Sequence, residues 1–293
     1  AGLVAEPCWE PACRGRRRCG REALRVAGRP FGPPPPMKFH EELKPLVGVP
    51  LGCGIALAYV ALSLLGNRLM AGRAPWDLAA AKVVYNVTQV VVCSIIFWRL
   101  LPFFISAEHG YGVGTEPRAE IEKWVFVFYC CKVLDLGDTL FMVLGKKTRQ
   151  FTFLHVWHHG SIVPLFAFYL HSGRGAGSMA ALPLWNSLIH VLMYTHYLVA
   201  SLGVVENMWW KPILTASQIG HHMLIMSYML LNRAYSNPDI TAPVFYSGVL
   251  WGLSILGLFC EFYVQQYFGT ARSGRRASGK EAAREEARAD ATK

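Results

Sequence analysis

Seven apolar runs of about 20 residues, separated by short charged breaks, limit what this chain can become. A helix of that length crosses a hydrocarbon core of about 30 Å, and in lipid the backbone must satisfy its own polar groups. The runs cover roughly 46–65, 83–105, 121–144, 151–170, 179–203, 213–232 and 243–266. Charged residues make up 16% of the chain, against about 25% in a soluble domain, and they crowd into the breaks and the two ends. The pattern predicts an all-α integral membrane protein of about seven transmembrane helices. Six or eight spans also fit, because the third and fifth runs contain KVLDLGD and NSLIH.

Lys and Arg in the short breaks predict the orientation. Arg68 and Arg73 follow the first run, and Lys146, Lys147 and Arg149 follow the third. The second break is acidic on balance, with Glu108, Glu116, Glu120 and Glu122 against Arg118 and Lys123. The fourth holds only Arg174 and the sixth only Arg233. Odd-numbered breaks and the C-terminus are therefore expected on the cytosolic side. The net charge of +10 belongs to this asymmetry and to the ends, so it points to membrane lipids and not to nucleic acid.

Three regions follow. Residues 1–36, with RGRRRCGRE and a closing PPPP, form an Arg/Pro-rich leader. It reads as disordered, as an organelle-targeting segment, or as an extension upstream of a start at Met37. Residues 37–270 form the membrane domain, and 271–293 a polar, charge-mixed, disordered tail. The eight Cys show no metal-binding spacing: Cys8, Cys13 and Cys19 lie in the leader, and Cys53, Cys93, Cys130, Cys131 and Cys260 read as small buried hydrophobes within the runs. Asn86-Val87-Thr88 fits the glycosylation pattern, but it starts a span and is discounted.

Ionisable residues inside a span are costly and mark function by default. Four runs carry them. Lys132, Asp135, Asp138 and Thr139 stand at offsets of three, three and one, which on a single helix share a stripe. His155, His158 and His159 stand at i, i+3 and i+4, with all three imidazoles on one face. Asn186, His190, Tyr194 and Tyr197 make a third stripe, with Met193 and His196 beside it. Thr215, Gln218 and His221 make a fourth, and His222 reads as a surface group. Each stripe alone could be an interhelical packing device. Four at similar depth predict one polar cavity enclosed by helices.

Two chemistries suit the histidines. Neutral imidazole binds metals, and the boxes at 155–159 and 218–222 resemble those of di-iron membrane desaturases and hydroxylases. Those enzymes need about eight ligands and a separate HxxxH box, and this chain has ten His and no HxxxH pair outside the HVWHH run itself, so no metal site is expected. The other chemistry is acyl transfer. Read in order, KVLDLGDT, HVWHH, HVLMYTHY and TASQIGH resemble the KxxExxDT, HxxHH, HxxMYxYY and TxxQxxQ motifs of the ELO family of fatty-acid elongases. The flanks FMVLGKKTRQ and WWKPILT are similar too, and the resemblance covers about 37–270. Three positions depart from the pattern: Asp135 for Glu, His196 for Tyr and His221 for Gln.

The resemblance implies a very-long-chain 3-ketoacyl-CoA synthase, an acyltransferase that condenses malonyl-CoA with a long-chain acyl-CoA and releases CO2 and CoA. It implies seven helices, six of them forming a barrel around an acyl tunnel, and no cofactor beyond the two substrates. His158 is expected to carry the acyl group, with His190 as its partner across the cavity. His155 and His159 orient or polarise, Asp138 fixes a tautomer, and Lys132 and Asp135 complete the catalytic group. Asn186, Tyr194, Tyr197, Gln218, Thr215 and His221 are expected at the substrate, and Lys146, Lys147 and Arg149 at the CoA phosphates. QFTFLHVWHH resembles the QxSFLHVYHH form of polyunsaturated-chain elongases. Residence in the endoplasmic reticulum membrane, a homodimer, and the reductases and dehydratase of the elongation cycle as partners also follow from the resemblance. The competing classes are the di-iron enzyme and a seven-span receptor or transporter.

Overall fold

A computed structural model describes residues 44–105, 118–174, 177–205, 207–235, 237 and 240–269. These belong to one compact unit that begins at residue 37. The leader, residues 106–117 of the acidic break, and the tail lie outside the described residues.

The described residues form eight α-helices. They are α1 (Val49–Met70), α2 (Ala79–Ile105), α3 (Arg118–Leu134), α4 (Gly137–Leu144), α5 (Phe153–His171), α6 (Ala181–Leu202), α7 (Lys211–Ala234) and α8 (Ala242–Val264). A single 3₁₀ turn, Gly177–Ala180, leads into α6, and a π turn, Gln265–Gly269, ends α8. No strand occurs among the described residues.

Local chemistry explains the ends. Prolines in the first turn open α1, α7 and α8, where the missing N–H costs nothing. Gly203 closes α6 at φ 65, the left-handed conformation that glycine adopts without a Cβ penalty. Thr152 caps α5 by accepting the backbone N–H of His155 at 3.3 Å, so the cap fixes the turn that starts the histidine box.

The long third run is not one helix. It breaks at Asp135 and Leu136, where Leu136 N–H bonds Val133 O and Asp138 N–H bonds Asp135 O, both i to i−3 contacts. The expected single stripe therefore divides. Lys132 and Asp135 end α3, while Asp138 and Thr139 start α4. The physical reason lies in the packing of α2 against the break. The Tyr85 ring sits where a Cβ on Gly137 would come within 3.2 Å of Cε2, and its hydroxyl donates to Leu134 O at 3.2 Å, satisfying a carbonyl at the helix end.

Each of six elements packs on the next, and the series closes on itself: α2 on α6, α6 on α7, α7 on α8, α8 on α5, α5 on α3, and α3 on α2. The α2–α6 contact is the most extensive. Helix α1 packs on α5 and α4. Gly52 lets α1 come so close to α5 that an added Cβ would meet Pro164 Cα at 3.1 Å.

Three helices are long and apolar enough to cross a membrane by length and composition: Val49–Met70, Ala79–Ile105 and Ala242–Phe268. Their outer faces carry bare apolar side chains such as Leu57, Leu62, Trp98 and Leu250, each about two-thirds exposed, which suits lipid and not water. The chain is a multi-pass membrane protein. The remaining long helices, α5, α6 and α7, fall short of that apolar threshold because they carry the histidine-bearing motifs.

Candidate active site

The four stripes converge. A cavity of about 910 Å³ is lined by His155, His158 and His159 of α5, Asn186, His190 and Tyr197 of α6, Gln218, His221 and His222 of α7, and Asp138 of α4. The polar hollow expected from the sequence is present, and six of its lining groups are imidazoles.

Behind this lining lies a second layer that does not reach the cavity. Lys132 and Asp135, each 1% exposed, form a buried ion pair with Nζ to Oδ2 at 2.8 Å. Such a pair survives burial only when its remaining valences are also filled. Here they are. Lys132 Nζ donates to Asn186 Oδ1 at 2.9 Å and lies 3.1 and 3.3 Å from the two ring nitrogens of His190. Asp135 Oδ1 accepts from Gln89 Nε2 at 2.6 Å and from the Tyr194 hydroxyl at 3.2 Å. The same hydroxyl is closer to Asp138 Oδ2, at 2.7 Å, so one phenol proton lies between two carboxylates. Gln89 is fully buried on α2, and its Oε1 accepts the Cys131 thiol at 3.1 Å. This lattice fixes His190 and Asn186 in place at the cavity wall.

The histidine box is held from both sides. His155 Nε2 lies 2.7 Å from Thr139 Oγ1. The His155 and His159 rings lie 4.3 Å apart at a tilt of 41°, and His158 stands edge-on to His159 at 5.1 Å. Trp251 of α8 lies 6.0 Å from His158 and 6.1 Å from His222, and its N–H donates to Ser161 Oγ at 2.7 Å. Nδ1 of His159 and Nε2 of His221 are buried without a hydrogen-bond partner among the described residues, an arrangement a protein tolerates where a ligand supplies the bond.

Some expected residues sit elsewhere. His222, read from sequence as a surface group, is 6% exposed and lines the cavity, because it follows Gln218 by a full helical turn. Thr215 is turned from the cavity and shares a 3.2 Å hydrogen bond with the Tyr267 hydroxyl. His196 accepts the Trp210 indole N–H at 3.0 Å and does not line the cavity, so that departure from the family pattern lies off the site. Lys146 is turned away from the lining, because its Nζ binds Ala71 O and Arg73 O at 3.1 and 3.0 Å, and Arg149 is exposed outside the lining. Lys147 does line the cavity. Lys82 of α2 joins it there, near enough that a Cβ on Gly145 would lie 3.7 Å from Nζ.

The sequence reading also missed Tyr85, Gln89 and Trp251. Only Tyr85 and Gln89 carried a signal, two polar groups four apart in an apolar run. Asn86, discounted as a glycosylation site, is buried and donates to Ser201 Oγ at 3.2 Å. Among the described residues, no three His, Cys, Asp or Glu side chains converge as a metal-ligand group.

Comparison with known proteins decides the lineage. A sequence model of the ELO family, described as the GNS1/SUR4 family, matches residues 48–275. The chain belongs to the ELO family. Relatives include fatty acid elongase 5 of Leishmania major, 34% identical over 77% of this chain and 88% of its own length. Fatty acid elongase 5 of Trypanosoma cruzi is 33% identical over 77% and 87%. Very long chain fatty acid elongase 1 of Mus musculus is 32% identical over 78% and 89%. Each of the four sequence stripes contributes at least one residue to the lining of that cavity.

Proposed function

We infer that this ELO-family chain is the condensing enzyme of fatty acid elongation, a 3-ketoacyl-CoA synthase acting on acyl-CoA and malonyl-CoA, and that it works through an acyl-imidazole. The observation that carries the mechanism is the placement of His158 and His190 on the wall of one cavity, with Lys132 and Asp135 fixing His190 from behind. A nitrogen of His158 attacks the thioester carbonyl, the C–S bond breaks, and the CoA thiol leaves with the proton. Malonyl-CoA then loses CO2, and the bond electrons form an enolate. The enolate carbon attacks the acyl-imidazole, the C–N bond breaks, and the leaving nitrogen of His158 takes up the one proton the condensation consumes, which restores neutral imidazole beside a 3-ketoacyl-CoA two carbons longer.

Enolate and tetrahedral oxyanion both need fixed donors in a site that excludes water. Imidazole N–H groups, Gln218 and Asn186 stand on the wall to serve. His190 handles the proton or the malonyl group, His155 and His159 polarise the carbonyl, and Asp138 with Tyr194 holds the α4 edge. The chemistry uses no metal and no cofactor other than its two substrates.

The substrate lies along the cavity. CoA phosphates meet Lys147 and Lys82 at the cavity lining, beside the loops that carry Lys146 and Arg149. The acyl chain continues past Asn186, His221 and His222 into a narrow apolar space lined by Ile162, Leu165, Met226, Met229 and Trp251. This course, with the closed series of six packed helices, supports seven spans with six forming a barrel around an acyl tunnel. The QFTFLHVWHH approach supports a polyunsaturated acyl chain. The Lys and Arg of the odd breaks support a cytosolic C-terminus, and family membership supports the endoplasmic reticulum membrane, a homodimer and work alongside the reductases and dehydratase of the cycle.

Membranes holding the protein, given acyl-CoA and labelled malonyl-CoA, test the reading. Labelled 3-ketoacyl product that persists under a strong chelator is the expected result. Product that vanishes with chelator and returns with iron would restore the di-iron enzyme. No malonyl-dependent product from any acyl chain would favour the receptor or transporter.

A further inference from the structure

Tyr59 belongs to none of the four motifs and lies on α1, a helix outside the closed series of six. Its hydroxyl oxygen nevertheless stands 2.8 Å from Thr139 Oγ1, which in turn stands 2.7 Å from Nε2 of His155. Tyr59 and Thr139 are 6% and 1% exposed, so this three-member chain starts in a buried seam between α1, α4 and α5 and ends at the cavity wall. A hydroxyl has one proton to give, and that gives the chain a direction. With the phenol donating to Thr139, the threonine proton goes to Nε2 of His155. The ring's own proton then sits on Nδ1. Run the other way, the phenol proton passes to Ser63, one turn along α1, so the direction from phenol to imidazole is part of what is proposed.

His155 lines the cavity, and Nδ1 is the ring nitrogen not taken by Thr139. We propose that Tyr59 is a positioning residue for the condensation, acting through Thr139 to hold His155 with its Nδ1–H offered to the oxyanion of the reacting thioester. The proposal rests on reading the hollow as the condensation site. It also gives the peripheral helix a task. The Tyr59 ring lies over Gly160, where an added Cβ would be 3.5 Å from Cδ1, so α1 grips α5 within the turn that follows the histidine box. Ring and hydroxyl do separate work: the ring seats the helix, and the hydroxyl sets the tautomer.

Tyr59→Phe removes the hydroxyl and keeps the ring, and Thr139→Ser and Thr139→Val keep and remove the link. Removing an oxyanion donor outright costs about 10²–10³ in kcat, and loosening its support is expected to cost about tenfold. Tyr59→Phe should therefore lower kcat by about tenfold while KM for acyl-CoA stays within about twofold, the mark of an interaction made in the transition state. Thr139→Ser should keep most of the parent's kcat, and Thr139→Val should fall at least as far as Tyr59→Phe. The double variant Tyr59→Phe/Thr139→Val should be no slower than Thr139→Val alone, since both act on one ring.

Membrane insertion and melting midpoints are measured throughout, and if Tyr59→Phe does not insert, the Ser and Val pair at Thr139 decides. A parent-like kcat for Tyr59→Phe overturns the proposal. So do losses that multiply in the double variant, or a Thr139→Ser as slow as Thr139→Val. His158→Ala is assayed beside them. Elongation at the parent's rate in that variant is a failure of the condensation reading itself, whereas a dead His158→Ala beside a parent-like Tyr59→Phe removes the relay alone.

Discussion

Two regions on either side of the cavity are built on opposite rules. At the α3–α4 break, Lys132, Asp135, Gln89, Tyr194 and Asp138 hold one another through hydrogen bonds of 2.6 to 3.2 Å, and His190 and Asn186 rest on them. A second, narrow space shares Asn186, His221 and His222 with the cavity and is walled by Met226, Met229, Tyr169, Gly248 and Gly252. One region is directional and has a single low-energy arrangement. The other relies on dispersion, which accepts many arrangements of a flexible thioether. Chemistry that must place atoms to a fraction of an ångström is served by the first kind of wall. A chain terminus that must only be enclosed is served by the second.

The sharpest way to break this contrast is at the proposed acyl carrier. His158→Ala should lower condensation by about 10³-fold or more, as loss of a nucleophile does elsewhere. Labelled malonyl-CoA incorporation measures it, with insertion checked by detergent-solubilised melting. Elongation within about tenfold of the parent would mean that the polar end does not act through a covalent intermediate, and its rigidity would need another purpose.

Next in size is the ion pair behind the wall. Lys132→Met leaves Asp135 charged and unpaired in a site 1% exposed, and truncating one partner of such a pair costs about 3–5 kcal/mol. The melting midpoint should fall steeply. The double variant Lys132→Met/Asp135→Leu removes both charges and should regain much of that stability. Activity should not return with it, because His190 and Asn186 have lost the ammonium that held them. Recovery of both together would show that the pair serves folding and not placement.

How much of this was open to reading from the chain differs between the same two regions. The polar end was largely legible, since side chains at i, i+3 and i+4 have to share a face wherever the helix is intact. The rule failed at Asp135–Leu136, because a tight turn with i to i−3 bonds keeps almost the same offsets as a helix and leaves no mark in the spacing. His222 was within reach: Gln218, His221 and His222 repeat the spacing of His155, His158 and His159. Tyr59 left a fainter mark: Ser63 stands four residues on in an apolar run, but nothing in the spacing ties the pair to Thr139 or His155 on other helices. The seven runs were legible as apolar segments, but which helices neighbour one another depends on contacts far apart in sequence, such as α2 on α6.

The smallest expected effect on rate is also the one most revealing of the apolar end. Gly252 faces Met226 so closely that an added Cβ would strike Sδ, and Gly248 faces Met229 and the Tyr169 hydroxyl in the same way. Gly252→Ala therefore forces Met226 to move, and the far end of a flexible side chain can do so at low cost. The room it moves into is the narrow space assigned here to the acyl chain. Gly252→Ala should shorten the longest chain elongated by about one two-carbon step, because a methylene that no longer fits is worth about 1–3 kcal/mol. Met226→Ala should lengthen it by a similar step. Total condensation on short acyl-CoA should change less than about threefold in either variant, since neither touches the polar wall. Product chains profiled from cells fed a panel of fatty acids measure both. Should Gly252→Ala depress elongation of short and long chains alike, the glycine is seating α8 against α7 and the two regions are mechanically one.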